Sequence, residues 1–317
     1  MHKVSIIIPS RNSPFLKQTV DDIFAKATGD VEVIVVLDAY WPEPILTPRK
    51  NMTIVHKGRV CGMRVNVNAG ARVATGKYLM KCDDHCKFGE GFDEILKTDC
   101  EEDWLSVPSR YSLDPDKWER TKGPINYLTL TFPFNTDEVK GTGLHDIKWR
   151  GESGISGGYF HRENERKNFL IDDIIAFQGS CWFMHRKKFF EIECLKEKPL
   201  RQEAEELCLK VWLSGGRVIR NKNTWYAHLH KGKMFRVSYG LSKRHLVETE
   251  MYYNDLWMNN KWSGQTKTME WLIDKFWPLG GWPEDWKDPK YQRDYVHPRD
   301  DLLKKWKRGN GILPNNQ

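Results

Sequence analysis

The sequence predicts an α/β protein: a mostly parallel sheet flanked by helices, followed by a Trp-rich helical C-terminal extension. Two short, nearly continuous apolar runs, "KVSIIIP" and "VEVIVVLDAY", have the composition of strands buried on both faces. Amphipathic segments separate the strand-like runs, giving the order β-α-β-β-α-β within roughly the first 85 residues.

Lys3 to Pro9 forms the first expected strand. "SPFLKQTVDDIFAKA" follows, with Phe15, Leu16, Val20, Ile23 and Phe24 at helical spacing and Ser13 placed as the cap. The second strand starts at Val31 and ends at Asp38, and "NMTIVHK" supplies a third. "VNVNAGARVAT" is a helix closed by Gly76, and "KYLMKCDD" is the fourth strand. From about Asp99 to Ile175 the periodic signal weakens. The Gly-rich polar stretch from Glu138 to Asn168, with Gly141 to Asn168 at its heart, reads as long loops suited to an acceptor-facing lid. Regular structure resumes with "SCWFMHRKKFFEI", a strand running into a helix. "EAEELCLKVWLSGG" is a helix stopped at Gly215-Gly216, and "RVIRNKNTWYAHLHKGK" is strand-like with His228 and His230 near its end. Beyond Lys243, seven residues (Trp257, Trp262, Trp271, Trp277, Trp282, Trp286 and Trp306) supply half of the 14 tryptophans. Two readings are open for them: core packing, or an aromatic and cationic surface on which sugars or bases stack.

With 39% hydrophobic and 29% charged residues over 317 positions, the chain is of the folded class and large enough for a sizeable core. No apolar run approaches ~18 residues, which excludes a membrane-spanning helix. The start, "MHKVSIIIPSRN", has too short an apolar segment for a signal peptide. Seven scattered cysteines fit free thiols in a reducing compartment, so the expected location is cytoplasmic, bacterial or in the host cell if the protein is viral. The net charge of +7 is unevenly placed. Between Glu206 and Glu248 there is no acidic residue but nine basic ones: Lys210, Arg217, Arg220, Lys222, Lys231, Lys233, Arg236, Lys243 and Arg244. Such a run is either a solvated face or a field for polyanions such as a diphosphate or a nucleic acid.

In open α/β sheets ligands bind beyond the carboxyl ends of the strands. Asp38 and Asp83-Asp84-His85 both close predicted strands, which places them at one crevice. Carboxylate oxygens suit Mg²⁺ or Ca²⁺, and an added imidazole shifts the preference toward Mn²⁺ or another transition metal. Where the pleat ends, Asp83 and His85 can point to one side, and a divalent ion there would grip a diphosphate as its ester bond breaks. Two other readings are a zinc site using Cys82, His85 and Cys86, for which no second Cys pair stands at ligand spacing, and an acidic turn with no ligand.

"VSIIIPSRN", "EVIVVLDAY", "NAGARVATGKYLMKCDDHCKF" and "EELCLKVWLSGGRV" stand in an order and spacing that resembles family 2 type glycosyltransferases of the GT-A fold. In detail the chain is similar to the polypeptide N-acetylgalactosaminyltransferases, whose Asp-x-His-Cys metal motif "CDDHC" reproduces. The resemblance covers roughly Lys3 to Lys233 and implies sugar transfer from a UDP-sugar with Mn²⁺ or Mg²⁺. It implies Asp83 and His85 as metal ligands and His228 as the third, with His230 competing. It places Pro9, Arg11 and Asp38 at the nucleotide pocket, the acid contacting a uracil base, and Arg64 and Asn68 on the helix facing the nucleotide. Asp84 would reach toward ribose or sugar, and Trp182 would flank sugar or acceptor. Each has a plain alternative: Asp38 as a cap or turn residue, Arg64 and Asn68 as helix surface, Trp182 as core, either histidine as structural. The division implied is a catalytic domain over 1–245, with a nucleotide-sugar half at 1–98 and an acceptor-side half at 99–245, and a Trp-rich extension at 246–317 packed on it.

One departure bears on mechanism. Inverting members place Glu-Asp before the equivalent of "ELCLK", the Asp being the base that deprotonates the acceptor. Here the segment is "QEAEELCLK", and Ala204 holds that position. The retaining N-acetylgalactosaminyltransferases also lack the Asp. Glu203 matches a Glu of both groups and Glu206 the second acid, so both are candidate catalytic residues. The pattern favours retention, the leaving diphosphate taking the acceptor proton; inversion with Glu203 or Glu205 as base is the competing reading. A basic chain with no lectin-like repeat or anchor fits the enzymes that glycosylate hydroxymethylated pyrimidines in double-stranded DNA. The rival acceptors are a surface polysaccharide, a lipid-linked glycan or a protein side chain. A catalytically silent nucleotide-sugar-binding protein is the alternative of a different class.

Overall fold

The computed structural model describes residues 2–130, 132, 146–148, 163–198, 203–230, 252–279 and 282–288. Its strands are β1 (Val4–Ser10), β2 (Val31–Asp38), β3 (Met52–Lys57), β4 (Tyr78–Cys82), β5 (Cys86–Phe88), β6 (Trp104–Asp114), β7 (Glu119–Arg120), β8 (Leu128–Leu130), β9 (Asp146–Lys148), β10 (Ile171–Asp173), β11 (Cys181–His185) and β12 (Arg217–His228). The main sheet runs β10-β12-β6-β11-β4-β1-β2-β3, with β5 added to β12 and β7 to β6, while β8 and β9 pair separately. Neighbours β3, β2, β1 and β4 are mutually parallel, as are β6 and β12. β11 enters antiparallel between β4 and β6. This is the mixed, mostly parallel sheet with flanking helices that the apolar runs predict.

The two faces of β1 explain its unbroken hydrophobicity. Ile6 and Ile8 join Val33, Val35 and Leu37 of β2 against Leu16, Val20 and Ile23 of α1 (Leu16–Lys26). Ile7 points to the other face with Ile34 and Val36, against Val67 and Ala71 of α2 (Met63–Val73). The helix Glu203–Leu213 packs on that second face, burying Leu207, Leu209 and Trp212 in the same core. A third helix of the first half, α3 (Phe92–Asp99), buries Phe92 and Leu96 beside α1.

Four readings of the sequence need adjusting. Ser13 does not cap α1: Phe15 is the N-cap with no side-chain bond, and the Ser13 hydroxyl donates to the Asp84 carbonyl. Gly76 does not end α2, which stops at Val73 with Ala74 as cap. Its role is close approach, since a Cβ there would lie 2.6 Å from both the Lys3 carbonyl oxygen and Ser5 Oγ. The weak-signal stretch after Asp99 contains the 11-residue β6, whose apolar run is interrupted by the buried polar residues Ser106, Ser109 and Arg110. "NMTIVHK" does form β3, but as a half-exposed edge. Of the expected lid at Gly141 to Asn168, residues 141–145 and 149–162 lie outside the described residues.

The C-terminal tryptophans mostly pack the core. Trp257, Trp262, Trp282 and Trp286 are buried in the main cluster, with a helical segment at 252–258 and the helix Met269–Phe276. Trp282 donates its indole N–H to Leu130 O (2.8 Å) and Trp262 to Glu193 (3.1 Å), while the Trp257 N–H is buried without a partner among the described residues. Trp271 and Trp277 are partly exposed, and Trp306 lies outside the described residues. Trp257→Ala should therefore cost about 3–5 kcal/mol of unfolding free energy, read by urea denaturation. A loss below about 0.5 kcal/mol would return this ring to the surface role.

Candidate metal centre

Asp83, His85 and His228 each present one ligand atom within 4.8 Å of the others, the one such group among the described residues. Three backbone features converge to make it. β4 ends at Cys82, the Asp83 N–H donates to Ser180 O (2.9 Å) and so extends the pairing with β11 by one residue, and the chain then turns at Asp84 and His85. β5 resumes at Cys86, whose N–H donates to Thr19 Oγ1 of α1 (3.1 Å). β12 then lies antiparallel to β5 with His228 opposite Cys86, and the Leu229 N–H donates to the His85 carbonyl (3.1 Å). That ladder carries a histidine more than 140 residues away in sequence to within 3.1 Å of Asp83 Oδ2. The His85 and His228 rings lie 4.5 Å apart.

The donor set suits a divalent cation. His85 Nδ1 is 2.6 Å from Asp84 Oδ1, which fixes its tautomer and leaves Nε2 facing Asp83 at 3.9 Å. Asp84 Oδ2 accepts from Ser10 (2.6 Å), and Ser10 in turn bonds Tyr40 at the end of β2. Asp84 thus bonds His85 through one oxygen and Ser10 through the other. Burial pushes His228 down to about 3, against the raising effect of its Asp83 hydrogen bond, so its imidazole is neutral, as a ligand must be. Burial alone would raise the Asp83 carboxyl; Lys81 and then His228 outweigh it and hold Asp83 well below the usual carboxylate range. His230, the competing ligand, is 2.6 Å from Arg110 through its Nε2 and stands outside the group. Cys82 and Cys86 are fully buried free thiols, raised well above their usual range first by burial, which leaves them packing residues and not zinc ligands.

The other expected site residues fall into two sets. Pro9 lies in β1 opposite Val36, and Arg11 follows the strand end, both half-buried near the Ser10 hydroxyl chain. Asp38 closes β2 and accepts from the backbone N–H groups of Cys61 (2.7 Å) and Gly62 (3.1 Å), holding the loop that starts α2. Arg64 ion-pairs with Glu206 and donates to Lys196 O, and Asn68 makes two bonds to the Leu195 backbone. Glu206, 1% exposed, also takes Lys210 (2.8 Å), Tyr253 (2.9 Å) and the Lys196 N–H (2.9 Å). Arg64, Asn68 and Glu206 thus bond one another's surroundings inside the protein. Trp182, 2% exposed, stacks on Phe189 in the core. Glu203 begins its helix half-buried and packs against Gly179.

Sequence reasoning passed over Lys81. Its ammonium is 1% exposed and bonds both Asp83 Oδ1 and Gly179 O. Lysine within an apolar strand, two residues before an aspartate, was the available signal. The basic run also changes meaning in three dimensions. Lys210 bonds Glu206, Arg217 pairs with Asp173, Arg220 bonds the Asn126 and Pro108 carbonyls, and Lys222 bonds Arg166 O. The other five of the nine lie outside the described residues.

The model of glycosyl transferase family 2 matches residues 5–192. Over 174 residues the chain is 24% identical to the Drosophila melanogaster protein named polypeptide N-acetylgalactosaminyltransferase 13, covering 54% of this chain and 28% of that one. A crystal structure of GalNAc-T7 with UDP, GalNAc and Mn²⁺ superposes with a TM-score of 0.57 at 15% identity, covering 97% of this chain and 54% of that one. Staphylococcus aureus TarS, residues 1–349 in complex with UDP-GlcNAc, gives 0.51 at 11% identity over 85% and 69%. These likenesses show the GT-A fold. The chain spans about a quarter of the Drosophila protein and about half of the GalNAc-T7 chain.

Glu206→Gln should destabilise the protein by about 3–5 kcal/mol, because it strands Arg64 and Lys210 as buried charges. Lost turnover at unchanged stability would instead return Glu206 to chemistry. Acid should act on His228 in a defined window. The unfolded imidazole takes a proton near pH 6.5 while the folded one does not until about 3, so stability falls as pH drops between those values. The metal-free slope should reach about 1.4 kcal/mol per pH unit and flatten in His228→Asn, measured by urea unfolding from pH 7 to 4. Asp83, held low in the fold, adds its own loss only below about 4.

Proposed function

The chain belongs to glycosyl transferase family 2, enzymes that use a nucleotide-sugar donor, and on that premise we propose that it moves a sugar from a UDP-sugar to an acceptor hydroxyl with retention, using Mn²⁺ or Mg²⁺. The observation that carries this reading is the Asp83–His85–His228 group at the carboxyl edge of β4. A divalent cation there supplies charge stabilisation to a departing diphosphate. Asp83 Oδ2 and the Nε2 atoms of His85 and His228 would hold it. Asp84, Ser10 and Tyr40 keep the His85 ring turned to that task. Asp38, through the Cys61 and Gly62 N–H groups, shapes the loop beside which a uracil base would sit. No helix of the described residues is long and apolar enough to cross a membrane.

Retention is supported by the first turn of the helix Glu203–Leu213. Ala204 is buried where an acceptor-deprotonating aspartate would stand, and Glu206 is held by Arg64 and Lys210. Glu203 is then the acid placed to act beside the donor sugar. The domain division proposed is a catalytic unit over 1–245 with the 246–317 extension completing its core.

For the acceptor we propose a hydroxymethylated pyrimidine in double-stranded DNA, supported by the basic residues Lys231, Lys233, Arg236, Lys243 and Arg244. A neutral glycan is the second reading, and the internal pairing of Lys210, Arg217, Arg220 and Lys222 favours it. Mass spectrometry of a UDP-sugar panel with hydroxymethylcytosine DNA and with glycan acceptors should give Mn²⁺-dependent product. Asp83→Ala and His85→Ala should each lower the rate at least about 100-fold while remaining folded. A DNA acceptor met by all five cations should bind with a log–log salt slope near about −4.5, and a neutral glycan near zero. Tight nucleotide-sugar binding with no product from any pair would identify a silent binding protein.

A further inference from the structure

We propose that Lys81 is the built-in counter-cation of the metal centre, a positioning residue that makes divalent-cation binding depend on the nucleotide diphosphate. This rests on reading Asp83, His85 and His228 as metal ligands. Lys81 sits in β4 directly opposite Trp182 of β11, inside the sheet. Its ammonium reaches along the strand to Asp83 Oδ1 and across to the Gly179 carbonyl. Asp83 therefore has one oxygen committed to Lys81 and one, Oδ2, turned toward the two histidines.

Two consequences follow from that division. Asp83 can serve a metal through a single oxygen, because bidentate binding would displace a buried ammonium. The single carboxylate of the ligand group is also paired with a buried ammonium, so Lys81 offsets the one negative charge that faces the ion. Beyond it, Asp84 is hydrogen-bonded behind His85, Arg110 lies behind His230, and the Glu203 charge is felt by Lys81. Most oxygen-rich cation sites owe their affinity to the number of carboxylates facing the ion. Here the facing carboxylate is already compensated, so the cation binds weakly by itself. A diphosphate restores the missing negative charge, and the cation and nucleotide enter as a mutually stabilising pair.

Lys81 also ties three distant segments together. Gly179, whose carbonyl it holds, packs against Glu203 and Ala204 of the Glu203–Leu213 helix. The next residue, Ser180, accepts from the Asp83 N–H. One ammonium thus sets the spacing between the metal ligand and the acid proposed to act beside the sugar.

The test compares wild type with Lys81→Met, a substitution of similar length that removes the charge. Mn²⁺ affinity is measured by electron paramagnetic resonance with and without UDP, alongside thermal unfolding with and without Mn²⁺. Wild type should bind Mn²⁺ at least tenfold more tightly with UDP than without. Lys81→Met should bind Mn²⁺ without UDP at least tenfold more tightly than wild type, and UDP should add less. The variant should be less stable than wild type without metal, and Mn²⁺ should raise its melting temperature by more than it raises that of wild type. A lysine that serves packing alone would lower stability equally with and without Mn²⁺. The proposal is overturned if folded Lys81→Met binds Mn²⁺ no better than wild type, or if wild type binds it equally with and without UDP. Should Lys81→Met fail to fold, Lys81→Gln, which removes the charge but keeps a hydrogen-bond donor, is measured in the same way and decides. No Mn²⁺ binding by wild type even with UDP would sink the metal reading itself, together with this proposal, and is thereby distinguishable from failure of the lysine's role.

Discussion

The functional edge of the molecule depends on one short antiparallel pairing. β12 returns beside the three-residue β5 with Tyr226 opposite Phe88, Ala227 opposite Lys87 and His228 opposite Cys86. Because side chains alternate along a strand, a slip of one residue would turn His228 to the other face and bring Ala227 or Leu229 to the metal side. Backbone bonds at both ends guard against that slip: Gly89 N to Trp225 O (3.0 Å) and Leu229 N to His85 O (3.1 Å). An irregularity between Asn221 and Trp225 adjusts the long strand between its β6 pairing and this one. His228 is thus brought beside Asp83 by ladder geometry, which tolerates far less drift than a loop.

Beneath this edge, two carboxylates are arranged in opposite ways. Glu206 is surrounded by Arg64, Lys210, Tyr253 and a backbone N–H, and both its oxygens are used. Burial would raise its carboxyl, and Arg64 with Lys210 reverses that, keeping it ionised as a structural anion that fastens the helix to α2. Asp83 has a single buried cation on one side and two histidines on the other, with its side chain 19% exposed. The same chemistry of acid and base gives a closed knot in one place and an incomplete coordination shell in the other. The count of partners, more than burial, separates the scaffold from the site.

Much of this was legible in the sequence, and the parts that were not share a physical cause. The apolar runs of β1 and β2, the helices between them and the strand-end position of Asp83 and His85 all express local periodicity, which sequence displays directly. The 11-residue β6 was hidden because the buried polar residues Ser106, Ser109 and Arg110 interrupt the apolar run by which β1 and β2 are read. Ser13 carries every local mark of a helix cap, but its oxygen accepts from the Phe15 N–H ahead of the helix (3.4 Å) and its proton goes to the Asp84 carbonyl, a contact 71 residues distant. Arg64 and Asn68 were placed on the right helix, but which way they face is decided by Glu206 and Leu195, which no local pattern reveals. The basic run was misleading for the same reason. Lys210, Arg217, Arg220 and Lys222 find anions or carbonyls inside the fold, so charge density along the chain overstates charge density on the surface.

The acidic start of the Glu203–Leu213 helix shows how such distinctions bear on mechanism. In sequence, Glu203 and Glu206 are the two candidate acids, Glu205 is a competing base, and Ala204 stands in the place of an aspartate. In space, Glu206 is locked to Arg64 and Lys210, Glu205 is buried, and Ala204 is buried with its methyl against Gly179. Gly179 is itself pinned through its carbonyl by Lys81. A carboxylate in place of the Ala204 methyl would be pressed against that turn. Glu203 is the acid of this turn with partial access. A charged carboxylate beside a sugar is suited to steadying positive charge as the glycosidic bond loosens. On the retaining course proposed above, the methyl at the Ala204 position leaves proton removal to the departing phosphate.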